Sequence, residues 1–163
     1  MRAFALICLA IAALFLGCVK RPEPLSSRAV AVIVKTPNLS VSQSGFVYEL
    51  PNDEYRLQIY ATGQAALELS VGEKICKGAF CLSAAEFNKR YFSENYPANF
   101  LRDILGGRTI AALENDVIAS GANGFAQTAT IDGKYDIRYE SARDVQRFKD
   151  AINSVLIVIR RAD

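Results

Sequence analysis

Tyr55-Arg56-Leu57-Gln58-Ile59-Tyr60-Ala61-Thr62-Gly63-Gln64-Ala65-Ala66-Leu67-Glu68-Leu69-Ser70-Val71 is the stretch whose reading decides the fold class. Its second arm sets Ala65, Leu67, Leu69 and Val71 on one side and Glu68 and Ser70 on the other, the period of two that a strand with one wet face requires. Its first arm, Tyr55 to Ala61, is a strand as well. Upstream, Ala29 to Val34 is continuous and β-branched, and Leu39 to Leu50 alternates with Phe46, Tyr48 and Leu50 on one face. Asn52-Asp53 marks a turn. Together these segments read as an antiparallel meander.

The period then changes. Ser83 and Glu86 have capping-box spacing, with Leu82 and Phe87 at the staple positions, so a helix is expected from Ser83 to about Phe92. Pro97 suits the first turn of a second helix whose apolar positions Phe100, Leu101, Ile104 and Leu105 form a stripe ending at Gly106-Gly107. Both helices must bury an apolar face, and the sheet is the one large partner available. Strands resume at Val117 to Ser120 and Phe125 to Ile131. Asp132-Gly133 is a hairpin turn, and Tyr135, Ile137 and Tyr139 oppose Asp136, Arg138 and Glu140. Asp144 to Ile152 fits a helix through Val145, Phe148, Ala151 and Ile152, or a strand with Asn153 in a turn. Val155 to Ile159 is apolar on both faces and belongs inside a sheet. The expected class is α+β: a curved antiparallel sheet, an incomplete β-barrel, with two short helices inserted mid-chain over its concave face.

Arg2 followed by an apolar run from Ala3 to Leu16, Gly17 and then Cys18 looks like a lipoprotein signal, cut after residue 17. Cys18 would then carry the lipid, diacylglyceryl and palmitate. The run is shorter than the roughly 20 residues of a spanning helix. Residues 18–27, with Pro22 and Pro24, form a tether able to hold the domain up to about 25–30 Å from its anchor. Residues 28–163 are then a single domain. Val19, where enteric lipoproteins retained at the inner membrane carry Asp, favours the outer membrane with the domain facing the periplasm.

The chain of 163 residues carries 19 basic and 17 acidic side chains and no histidine. That balance argues against nucleic acid. Lack of histidine removes the commonest general base and metal ligand and any Ser/His or Cys/His pair, so neither an enzyme nor a metal site is expected. Glu49, Asp53, Glu54 and Glu68 read as solvated charge. Gly133-Lys134 lacks the loop of a phosphate-binding motif, and no cofactor is expected. Cys76 and Cys81, with C-x4-C spacing and a glycine between them, read as a hairpin disulfide in an oxidising compartment. So short a loop should contribute at most about 2 kcal/mol.

The order of strands, two helices and strands on a lipid tether resembles the LolA/LolB family of lipoprotein carriers and receptors. The matching segments are Tyr55 to Gly63 followed by Ala66-Leu67-Glu68-Leu69, the helix Phe100 to Gly107, the hairpin Phe125 to Tyr139 and the last strand Val155 to Ile159. The resemblance spans roughly residues 28 to 160. It implies an apolar cavity that shields the acyl chains of another lipoprotein, each buried methylene being worth about 0.8 kcal/mol. It also implies a monomer that is a transport chaperone, with acylated lipoproteins, a LolA-type periplasmic carrier and the outer membrane as partners. The implied cavity residues are Phe46, Tyr48, Leu57, Ile59, Leu67 and Leu69, with Phe100, Leu101 and Ile104 from the helices. Thr62-Gly63 stands at the family's membrane-delivery loop, shorter here and without its exposed leucine. Two other readings compete: a structural or assembly subunit of an outer-membrane complex, with a filled core and an apolar surface patch, and a lipocalin-like carrier of a small apolar ligand.

Overall fold

A computed structural model describes residues 22–111, 113, 116–119 and 124–162, the side chains of 116–119 excepted. The strands are β1 (Ser26–Thr36), β2 (Leu39–Leu50), β3 (Glu54–Ala61), β4 (Gln64–Val71), β5 (Lys74–Lys77), β6 (Phe80–Ser83), β7 (Asp116–Ala119), β8 (Gly124–Ile131), β9 (Tyr135–Ala142), β10 (Val145–Asp150) and β11 (Val155–Arg161). They form one antiparallel sheet in the order β6-β5-β4-β3-β2-β1-β11-β10-β9-β8-β7. The chain meanders from β1 out to β6, passes through α1 (Ala84–Tyr91) and α2 (Phe100–Gly106), and resumes at the far edge. It then meanders back until β11 pairs with β1. The result is a curved, unclosed sheet with two helices, the α+β architecture expected from the sequence.

Local signals explain most of the elements. Ser83 caps α1 and completes the capping box with Glu86, whose carboxylate accepts from the Ser83 backbone N–H at 3.0 Å. Gly107 ends α2 in the left-handed conformation, φ 65°, where a side chain would be strained. Pro97 lies before α2 rather than inside its first turn: Asn99 is the cap, and the Pro97 carbonyl accepts from the Phe100 N–H. The stretch Asp144 to Ile152 resolves as β10 and the start of a turn, because Phe148 and Asp150 point inward opposite Tyr139 and Ile137. β11, apolar on both faces, sits between β1 and β10 in mid-sheet. Ser120 lies outside the described residues, as do Cys8 and Cys18.

Strand phase corrects one part of the sequence reading. Val47 pairs with Leu57 and Gly45 with Ile59, so mid-β2 turns Gly45 and Val47 toward the core, and Leu50 turns inward at its end. Phe46 and Tyr48, expected in the cavity, therefore lie on the outer face opposite Gln58 and Arg56, and Phe46 is 39% exposed. A second correction concerns Ala65. The register shifts between Ile59 and Tyr60, leaving Ala65 opposite Tyr60 and Leu67 opposite Ile59, so Ala65 leaves the Leu67/Leu69/Val71 face. Gly45 is required where β3 approaches: a Cβ there would sit 2.1 Å from the Gln58 carbonyl oxygen.

The core lies between the inner face and the two helices. A run of ring contacts fills its middle: Phe87 to Phe92 at 6.1 Å, Phe92 to Phe100 at 5.4 Å, Phe100 to Phe148 at 4.9 Å and Phe125 to Tyr139 at 5.3 Å. Two buried polar side chains tie loops to this core. Gln127, fully buried, accepts from the Ile110 N–H at 2.9 Å and donates to the Ile110 carbonyl at 3.0 Å, pairing with the chain after α2 as a strand would. Asp150 accepts from the Tyr96 hydroxyl at 2.6 Å and from the Asp136 and Ile152 N–H groups at 3.1 and 3.0 Å. Burial and this hydrogen bond raise the Tyr96 pKa well above the ordinary phenol value, so Tyr96 stays a neutral donor.

Candidate functional site: an apolar pocket beside α1

The turns at residues 37–38, Thr62–Gly63 and Gly78–Ala79 all fall at one end of the β2–β6 half of the sheet, as their antiparallel pairings dictate. Near that end, between the inner face and α1, lies a cavity of about 140 Å³. Leu39, Leu67, Leu69, Ile75 and Leu82 form its sheet side, Phe87 and Tyr91 its helix side, and Phe80 and Lys77 stand at the β5–β6 hairpin. Phe80 is 59% exposed. Cys76 and Cys81 face each other in that hairpin and are joined by the expected disulfide, with Gly78 at φ 61° in the two-residue turn. Phe80, next to Cys81, lines the pocket from that hairpin.

The lining is apolar but for one residue. Lys77 is the one charged residue among those that line it. α1 is held by its cap, by Asn88, which donates to the Pro97 carbonyl at 2.7 Å, and by the Phe87–Tyr91 ring contact at 4.6 Å. The Ser83 hydroxyl and backbone N–H hold the Glu86 carboxyl below the usual glutamate range. At the opposite end of the molecule Arg108 bridges Asp53 at 2.6 Å and Asp103 at 3.3 Å. Burial raises the Asp103 pKa against the pull of Arg108 and Arg102.

The residues expected to line one cavity are divided among three places. Leu67 and Leu69 line the pocket. Leu57, Ile59, Phe100, Leu101 and Ile104 are buried in the packed core, the last three beneath or within α2. Phe46 and Tyr48 lie outside, where Phe46 contacts the Tyr48 and Tyr60 rings at 6.1 and 6.0 Å. Thr62 and Gly63 form a tight turn with positive φ at both residues, the type that joins twisted strands, and present no apolar side chain. The sequence reading missed Leu39, Ile75, Lys77, Phe80, Leu82, Phe87 and Tyr91. Phe87 was legible as a staple residue, but nothing local showed that it would share a cavity with Leu67 and Leu69.

Among the described residues no helix is long and apolar enough to cross a membrane, and no cluster of His, Cys, Asp or Glu could hold a metal ion. No protein-family model matches the chain, and no curated protein matches it.

Proposed function

We propose that this chain is a lipid-anchored, periplasm-facing receptor that takes acyl chains of lipoproteins into the pocket beside α1 and helps localise them to the outer membrane. The observation that carries the reading is the cavity lined by Leu67, Leu69, Phe80, Leu82 and Tyr91 at the open end of an unclosed, helix-covered sheet. Its volume is well below the roughly 300–1,000 Å³ of ordinary ligand sites. It admits the end of one chain, and deeper entry requires α1 to lift from the sheet. The short α1, anchored mainly through Phe87, Asn88 and its cap, is the element able to do so. The architecture agrees with what the LolA/LolB resemblance implies, and no nucleotide is needed for a transfer that runs downhill from carrier to receptor to membrane.

The test is transfer of a radiolabelled lipoprotein from a LolA-type carrier to the full-length protein. Leu57 and Ile59 are core residues, so charging them would unfold the domain and say nothing about cargo. Leu67→Asp and Leu69→Asp are the informative variants. Transfer that both substitutions abolish while circular dichroism is unchanged supports the proposal; transfer unaffected by either, or none by the parent, refutes it.

A second reading, an assembly subunit of an envelope complex, is favoured by the packed centre and by the exposed Phe46/Tyr48/Tyr60 ring cluster on the outer face. Under it, Phe46→Ala would remove a partner from the protein in native extracts while leaving acyl-chain transfer untouched.

A further inference from the structure

The outer face differs sharply between its two halves. On β2 it carries Ser40, Ser42 and Ser44 before the aromatic pair, whereas across β1, β11, β10 and β9 the register lines up Lys35, Leu156, Lys149 and Arg138 in one lateral row. The adjacent row is Ile33, Val158, Arg147 and Glu140, and the next begins Ala31, Arg160, Val145 and Ala142. Lys35, Arg138, Arg147, Lys149 and Arg160 are all exposed. Arg138 has a partner on its own strand, Glu140 at 2.8 Å; no salt bridge to the other four occurs among the described residues. Lys149 stands directly opposite Arg138, a like-charge pair whose repulsion Glu140 relieves on the Arg138 side alone. A shallow depression of about 860 Å³ lies among Arg138, Arg147, Lys149 and Arg160, with Glu140 the one acidic residue in its lining and Ala126, Ala142 and Val145 on its floor.

The geometry points to this face as a docking surface for the anionic phospholipid headgroups of the membrane on which the protein is anchored. Four strands at about 4.8 Å spacing spread the cations laterally over roughly 14 Å instead of converging them on one point. Long basic stems over aliphatic side chains suit the headgroup level of a bilayer, where each cation is attracted to anionic lipid and the apolar stems meet the interface. The tether enters β1 at Ser26, about 30 Å along the strand from Lys35, and its own reach of about 25–30 Å would let this face lie along a bilayer that holds the proposed anchor. An acidic protein would call for a matched constellation of donors and acceptors, and the patch offers cations on flexible stems. With the outer face on lipid, the pocket beside α1, on the other face, stays open to the periplasm. This docking rests on the lipid anchoring proposed above, not on what that pocket binds.

The test uses the full-length protein reconstituted into vesicles of phosphatidylcholine alone or mixed with phosphatidylglycerol. Lysine acetylation by a water-soluble reagent is read by mass spectrometry. The expected result is several-fold slower labelling of Lys35 and Lys149 with phosphatidylglycerol, reversed by high salt, with Lys77 on β5 unchanged. The variant Arg138→Gln/Arg147→Gln/Arg160→Gln should lose the protection while keeping its fold by circular dichroism. Equal labelling in the two vesicles would overturn the inference. So would protection of Lys149 by an acidic peptide together with none by phosphatidylglycerol, which would assign the face to a protein partner.

Discussion

Beneath α2, Phe100, Ile104 and Leu105 share one cluster with Phe148, Ile157 and Tyr139 and expose almost nothing, whereas beneath α1 Leu67, Leu69, Leu82 and Tyr91 stay partly open around a cavity. Both helices are short, both lie on the same sheet, and both present apolar residues to it. What separates them is the supply of side chains from the strands. The α2 half receives large rings from β9 and β10 and the buried Tyr96–Asp150 pair; the α1 half receives leucines from the narrow β4–β6 end, where the strands shorten to four residues. One half is built for stability, and the other retains space.

That contrast breaks most visibly at Phe100. Phe100→Ala removes the ring that touches Phe92, Tyr96 and Phe148 and should cost about 3–5 kcal/mol, read as a fall in the denaturant midpoint at unchanged slope. Asp150→Ala should cost about 3 kcal/mol, because it strands the buried Tyr96 hydroxyl and the turn N–H groups together. Reduction of Cys76–Cys81 acts on the open half and should cost at most about 2 kcal/mol, measurable as the difference in midpoint with and without reductant. Leu69→Ala, at a partly exposed position, should cost about 1 kcal/mol while weakening acyl-chain capture far more than Phe100→Leu does.

The smallest effect sharpens the comparison at α1 itself. Ser83→Ala should lose about 1 kcal/mol of cap stabilisation. The Glu86 pKa is lowered by its bonds to Ser83, so the box contributes fully above the ordinary glutamate pKa of about 4.3 and its contribution fades as pH falls through the depressed value. The gap between parent and variant midpoints should therefore narrow on acidification and stay constant above neutrality.

Much of the frame was legible. Capping-box spacing placed α1, Gly106-Gly107 ended α2, and the Tyr135/Ile137/Tyr139 alternation set β9 in its observed phase. β2 misled because its two faces read alike: serines and two aromatics on one, Leu39, Val41, Gln43, Gly45 and Val47 on the other. Pairing with Leu57 and Ile59 decides between them, and a strand read alone does not contain its partner. The bulge near Ala65 has no local marker beyond two alanines. Gln127 and Asp150 stand at inward positions as polar residues, a conflict visible in the sequence whose resolution by Ile110 and Tyr96 needed tertiary contacts. The pocket was legible only at Leu67 and Leu69, which came from alternation; its aromatic side came from a helix whose docking site the sequence did not specify.

The most direct test of acyl-chain capture is photo-crosslinking with a palmitoyl chain bearing a diazirine near its terminus, incubated with the full-length protein and mapped by mass spectrometry. Adducts at Leu67, Leu69, Leu82 or Tyr91, competed by unlabelled acylated lipoprotein, are the result this account predicts. Adducts confined to Phe46, Tyr48 and Tyr60 on the outer face, or none above background, would contradict it.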